Sequence, residues 1–93
     1  MSDSYLIAHD LGTSGTKAAL TDLHGRVLAT AERRYPVYYS ADGGAEQDPH
    51  EWWQAIVETT HEMMAKAQVS PGQIAGMSMS AQMVGTVPVD KDG

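Results

Sequence analysis

Asp10-Leu11-Gly12-Thr13-Ser14-Gly15-Thr16-Lys17 puts a carboxylate, two glycines, three hydroxyls and a lysine into one short turn between two apolar runs. That mixture suits a phosphate chain. Bare backbone N–H groups and Thr or Ser hydroxyls donate to phosphate oxygens, lysine adds positive charge, and an aspartate holds Mg²⁺ directly or through water. Gly12 and Gly15 stand too close for a G-x-x-x-x-G-K-[ST] loop, and the stretch is not G-x-G-x-x-G. It also leads into a strand, so no helix N-terminus is on offer to the anion. The same spacing fits a glycine-rich hairpin turn chosen only for its backbone angles. Asp10 argues for chemistry, because a carboxylate ending an apolar strand beside hydroxyls and a lysine needs a reason to be there.

Elements must hold that turn in place. Tyr5 to His9, Thr16 to Thr21 and Arg26 to Arg34 read as strands. Asp22-Leu23-His24-Gly25, with Asp first and Gly last, reads as a type I hairpin turn between the second and third. Connections this short predict an antiparallel meander. Pro36 to Gln47 reads as a loop, with Tyr35, Tyr38 and Tyr39 expected to cover a sheet edge. A helix is expected next, with Asp48 as N-cap, Pro49 in the first helical position and Glu51 completing an acidic capping box. Trp52, Ile56, Thr60, Met63 and Ala67 recur at helical spacing, widened by Trp53, Val57 and Met64, so the helix should run to about Gln68. The two tryptophans are expected to pack it onto the sheet; a sugar-stacking platform is the other use of such rings. After Ser70-Pro71-Gly72, Ile74 to Ser80 reads as a strand apolar on both faces, as in a covered central position reached by a crossover. A loop at Ala81 to Val84 and a short strand over Gly85 to Val89 complete the prediction. Asp90-Lys91-Asp92-Gly93 repeats the Asp-x-x-Gly form of a hairpin turn, from which a longer parent chain is expected. The fold class is α/β.

Composition narrows the partners. The 93 residues allow one domain, and six basic against twelve acidic residues give a formal charge of −6. That balance argues against nucleic acid or an anionic membrane, whose binding needs clustered Lys and Arg. With no cysteine, disulfides and thiolate metal sites are excluded. A cytoplasmic location is compatible with this, and the first residues show no basic n-region or long apolar stretch of a secretory signal. His9, His24, His50 and His61 show no metal-ligand spacing, and all are expected to be non-catalytic.

The strand–Asp10-Leu-Gly-Thr-Ser-Gly-Thr-Lys17–strand pattern resembles the first phosphate motif of the FGGY carbohydrate kinases, within the actin/hexokinase-type ATPase superfamily. Glu46-Gln47-Asp48-Pro49, followed by Trp52-Trp53, is similar to the family's W-x-E-Q-D-P…W-W stretch without its leading Trp. Ile74 to Met83 is similar to its strand and sugar loop. All three keep the family's order and spacing and together span nearly the whole chain.

The resemblance implies a partial ribonuclease H-like domain: the antiparallel meander, the crossover helix and further strands, forming the N-terminal part of the family's first lobe. It implies ATP and Mg²⁺ as cofactors and a small sugar or polyol, a ketose or sugar acid, as substrate. Asp10 would be the Mg²⁺-associated carboxylate; Gly12, Thr13, Ser14 and Gly15 would line the phosphates, with Lys17 as a nearby cation. A solvated strand lysine explains Lys17 equally well. Gln82, Met83 and Val84 correspond to the sugar-contacting loop. Xylulokinase-like members carry Met-His there and glycerol-kinase-like members Arg-Glu, so Met83-Val84 departs from both and lacks their hydrogen-bonding groups. Plain core packing is the other reading of Met83. The catalytic base and the adenosine pocket are expected beyond residue 93, which would leave this chain inactive alone, and a homodimer is among the expectations for the full-length parent. A non-catalytic phosphate or nucleotide binder, or an actin-like interaction module, accounts for the same motifs.

Overall fold

The computed structural model describes residues 3–83 and 85–93. In chain order the elements are β1 (Tyr5–Leu11), β2 (Gly15–Asp22), β3 (Val27–Arg34), β4 (Tyr38–Tyr39), β5 (Ala45–Glu46), α1 (Pro49–Ala67) and β6 (Ile74–Ala81). Strands β1, β2 and β3 form the expected meander, and β6 joins β1 in parallel, giving the four-stranded order β3-β2-β1-β6.

Alternation of side chains along each strand decides which face is buried. Ile7 and His9 of β1, Thr16, Ala18 and Leu20 of β2, and Ala29 and Ala31 of β3 share the buried face. Helix α1 covers it with Ala55, Ile56, Thr59 and Met63. Leu20 and Met63 are wholly buried, each side chain contributing roughly 1.5–3 kcal/mol relative to exposure. The buried Thr59 hydroxyl donates to the Ala55 carbonyl at 2.7 Å, which settles its polar atom inside the helix. On the β3 side, Arg33 reaches Glu62 at 2.7 Å and Glu58 at 3.2 Å, and Lys66 Nζ donates to the Thr30 carbonyl at 3.0 Å.

Local signals explain the ends of these elements. The Asp22 carboxylate accepts from the His24 and Arg26 N–H groups, and Gly25 takes a left-handed φ of 84°, closing the β2–β3 turn as its sequence predicts. Those N–H groups, Arg26's foremost, hold the Asp22 carboxyl below the usual range. Asp48 caps α1, accepting from the His50 N–H at 2.9 Å, and Pro49 follows in the first turn.

Other expectations fail for identifiable reasons. Glu51 does not return to the Asp48 N–H; its carboxylate accepts from the Tyr38 hydroxyl instead. Tyr38 and Tyr39 form a small hairpin with Ala45 and Glu46, and both are exposed, so they cover no sheet edge. Trp53 is 62 % exposed, because the helix's buried line runs through Ala55, Ile56, Thr59 and Met63. Among the described residues strand β6 is the last of the sheet, pairing with β1 on one side, and Met77 and Met79 on it are about half exposed. Residues 85–89 form no strand: Pro88 has no N–H for a ladder, and no strand of the described residues pairs there.

Candidate functional site

The turn between β1 and β2 is held from behind. The Gly12 N–H donates to the Gly15 carbonyl at 2.9 Å, closing the turn on itself. Three successive carbonyls are then occupied by groups from elsewhere. Gly12 O accepts from the Tyr35 hydroxyl, Thr13 O from Gln47 Nε2 at 2.6 Å, and Ser14 O from the Tyr35 N–H at 3.3 Å. In a planar trans peptide the N–H points opposite to the carbonyl of the same unit. Anchoring those carbonyls therefore directs the N–H groups of Thr13, Ser14 and Gly15 away from the anchors. Thr13 and Ser14 are exposed, and their N–H groups and hydroxyls make no hydrogen bond among the described residues. Donors are thus offered outward, while the oxygens that would repel an anion are turned in.

At Gly15 glycine is needed for space, not for backbone angle. Neither Gly12 nor Gly15 has a positive φ. A Cβ on Gly15 would lie 2.4 Å from the Arg33 carbonyl oxygen, and one on Gly12 3.3 Å from the Gly15 carbonyl oxygen. The reading of these glycines as angle-setting hairpin residues is corrected accordingly. Tyr35 is buried beneath the turn, and burial, with the Asp10 charge second, pushes its hydroxyl pKa up, so it remains a donor across the ordinary pH range.

Asp10 and Lys17 lie on the opposite face of the sheet from α1. Register places Ser80, Asp10, Lys17 and Glu32 in one row across four strands. Ser80 Oγ donates to Asp10 Oδ1 at 3.1 Å. By register Lys17 stands between the two carboxylates of Asp10 and Glu32. A cavity of about 770 Å³ has Asp10, Lys17, Glu32 and Ser80 in its wall.

A hydrated Mg²⁺ fits this donor set. Magnesium is usually held by one or two carboxylates, with phosphates and waters completing the shell, not by a cage of protein ligands. Asp10 is exposed and keeps Oδ2 without a hydrogen bond, and no cluster of three or more His, Cys, Asp or Glu ligands occurs among the described residues.

The predicted sugar loop divides. The Gln82 N–H donates to the Leu11 carbonyl at 2.7 Å, and its Nε2 donates to Gln47 Oε1 at 3.0 Å, so Gln82 is fastened to the same turn. Met83 is 88 % exposed and packs into no core among the described residues. Val84 lies outside the described residues.

Three residues that bond the turn or Asp10 were not singled out from the sequence for it: Tyr35, Gln47 and Ser80. Gln47 lay within the Glu46–Pro49 stretch, and that position was its only sequence signal. His9, next to Asp10 in sequence but on the helix-covered face, is buried with Nε2 hydrogen-bonded to Thr60 Oγ1 at 3.0 Å, and burial lowers its pKa.

Comparison with known proteins agrees with this architecture. The xylulose kinase of Bacillus subtilis (strain 168) is 39% identical over 88 residues, covering 95% of this chain and 18% of that protein. A glycerol kinase of Pediococcus pentosaceus is 33% identical over 91 residues, again 18% of its length. Among solved structures, the xylulose kinase from Rhodospirillum rubrum superposes with a TM-score of 0.83 at 27% identity, covering 96% of this chain and 18% of that one. The gluconate kinase from Lactobacillus acidophilus superposes at 0.78 with 35% identity, covering 88% and 16%. The chain thus spans about 18% of the length of the curated relatives it matches. The architecture is a part of the actin/hexokinase-type, ribonuclease H-like ATPase fold. Residues 5–93 match the model of the FGGY family of carbohydrate kinases, N-terminal domain, and the chain belongs to that family.

Proposed function

We propose that this chain supplies the phosphate-binding part of an ATP-dependent kinase that transfers the γ-phosphate to a hydroxyl of a sugar or polyol. The observation that carries this reading is the turn whose three carbonyls are anchored inward while Thr13 and Ser14 remain exposed. Thr13, Ser14 and Gly15 donate to phosphate oxygens through N–H groups and hydroxyls. Asp10 holds Mg²⁺ or one of its waters, with Ser80 orienting the carboxylate. When bound, the cation neutralises charge on the phosphate oxygens. Lys17 offsets the negative field of Asp10 and Glu32, which would otherwise repel a nucleotide from a chain of charge −6.

The relatives, which are xylulose, glycerol and gluconate kinases, support the substrate class proposed. A ketose, sugar acid or related polyol is proposed, with Gln82, Met83 and Val84 on its side of the site. Proton removal from the accepting hydroxyl is assigned to no residue of this chain. Asp22, Asp48 and Asp90 bond turn or cap N–H groups, and Asp42 serves the Ser40–Gly44 turn. The 93 residues alone are therefore proposed to bind without turning over.

Titration calorimetry with Mg-ATP tests this. Saturable binding in the micromolar range, weakened at least tenfold in Asp10→Ala, is expected. An intact fold with no heat of binding, or binding unchanged in Asp10→Ala, contradicts the role given to the turn or to Asp10 respectively.

A further inference from the structure

The Gln82 side chain, the Gln47 side chain and the Thr13 peptide form one unbroken chain of hydrogen bonds. Gln82 Nε2 donates to Gln47 Oε1 at 3.0 Å, and Gln47 Nε2 donates to the Thr13 carbonyl at 2.6 Å. The three groups come from segments 34 and 35 residues apart, so the chain exists only in the folded protein. Each link is an amide. Accepting a hydrogen bond at the oxygen of an amide draws electron density from its nitrogen and strengthens the N–H on the far side. The Thr13 carbonyl shares its peptide with the Ser14 N–H, which is one of the donors turned outward.

We infer that Gln47 is a positioning residue that couples the Gln82–Met83 loop to the phosphate turn. The inference rests on the proposed function for the identity of the ligand, but not for the coupling itself. Displacing Gln82 weakens the donor that orients the Thr13–Ser14 peptide, and so weakens the Ser14 N–H as a phosphate donor. Engaging Gln82 in its bond to Gln47 does the reverse. The Gln82 N–H to Leu11 carbonyl bond keeps the loop's start against the end of β1, so the side-chain link can be altered without detaching the loop. The route needs no rearrangement of the core. By linkage, occupancy of the phosphate turn must in turn favour the seated position of Gln82.

Three features separate this from incidental contact. Gln47 is half-buried, and its amide uses its oxygen and its nitrogen on different partners. Tyr35 fixes the two flanking carbonyls, leaving the Thr13–Ser14 unit as the part of the turn that Gln47 alone sets. A carboxylate in place of the Gln47 amide would keep the size and the acceptor for Gln82, yet would face the Thr13 carbonyl with an oxygen.

The test uses the ¹⁵N-labelled chain and a double-mutant cycle read at the Ser14 amide. Gln82→Ala is expected to move the Ser14 amide proton upfield and to weaken Mg-ATP binding about twofold. In the Gln47→Ala background the same change at position 82 should leave the Ser14 amide where Gln47→Ala alone puts it. Gln47→Glu, close to isosteric, should reproduce the Gln47→Ala shift; unchanged β2–β3 amides show that the variants fold. A Ser14 amide unmoved by Gln82→Ala, or moved equally in both backgrounds, overturns the coupling. If Mg-ATP leaves the Thr13–Gly15 amides unperturbed while the cycle is non-additive, the proposed function fails and the coupling stands.

Discussion

The turn at Asp10–Lys17 and the segment from Met83 to Val89 both follow strands at the same end of the sheet, and they differ in how they are held. Behind the turn stand Tyr35, Gln47 and the close approach of β3 at Gly15. Among the described residues beyond Gln82 none through Val89 is in a strand or helix, and Met83, Val87 and Val89 are exposed. A site for a charged, invariant chemical group gains from donors fixed before the ligand arrives, since preorganised dipoles need no reorganisation on binding. A segment proposed to face a variable substrate is under a weaker demand, and variation is tolerated where few contacts constrain the chain.

The contrast can be broken most severely at Gly15. Gly15→Ala should destabilise the chain by about 2 kcal/mol or more in urea denaturation, because the new methyl group meets the Arg33 carbonyl at 2.4 Å and backbone must shift to admit it. A loss below about 0.5 kcal/mol would show that β3 does not press on the turn as described.

A milder change sharpens the comparison. Tyr35→Phe removes only the hydroxyl that holds the Gly12 carbonyl, and should cost about 1 kcal/mol together with weaker Mg-ATP binding. Met83→Ala, on the other side of the comparison, should change stability by less than about 0.5 kcal/mol, since that side chain is 88 % exposed. Equal effects of the two substitutions would erase the distinction between a held turn and an unheld segment.

The smallest expected effect concerns the β3 flank, which belongs to the held side. Lys66 and then Arg33 keep the Glu62 carboxyl below its ordinary range, with Arg33 also bonded to Glu58. A carboxyl whose folded pKa is depressed contributes stability above its unfolded pKa of about 4.3, and that contribution is lost as pH falls through the folded value. Glu62→Gln should therefore lower the urea midpoint slightly at pH 7, and the gap to the wild type should close below pH ~4. A gap that widens on acidification would contradict the ion-pair assignment.

Much of the frame was legible because local signals and tertiary demands coincide. The alternating Thr16, Ala18 and Leu20, the Asp22–Gly25 turn and the Asp48-Pro49 cap each declare a strand, turn or helix start within a few residues. The proposed phosphate turn was visible through its residue types, but not what holds it. Tyr35 and Gln47 act across 23 and 34 residues of sequence, and no periodicity encodes a single long-range hydrogen bond. Trp53 misled because an apolar stripe drawn wide enough to include it exceeds the face that the sheet covers. The 85–89 segment misled because apolar residues beside Pro88 look like a strand until a pairing partner is required. The glycines misled in their reason: Gly15 serves a close approach between strands that only the register of β2 against β3 reveals.

The most direct measurement is an amide titration of the ¹⁵N-labelled chain with Mg-ATP. Saturable shifts centred on Thr13, Ser14 and Gly15, diminished in the absence of Mg²⁺ and in Asp10→Ala, are expected of a turn whose N–H groups face the phosphates. A folded chain in which those amides stay fixed, or in which saturable shifts fall elsewhere on the sheet, would contradict it.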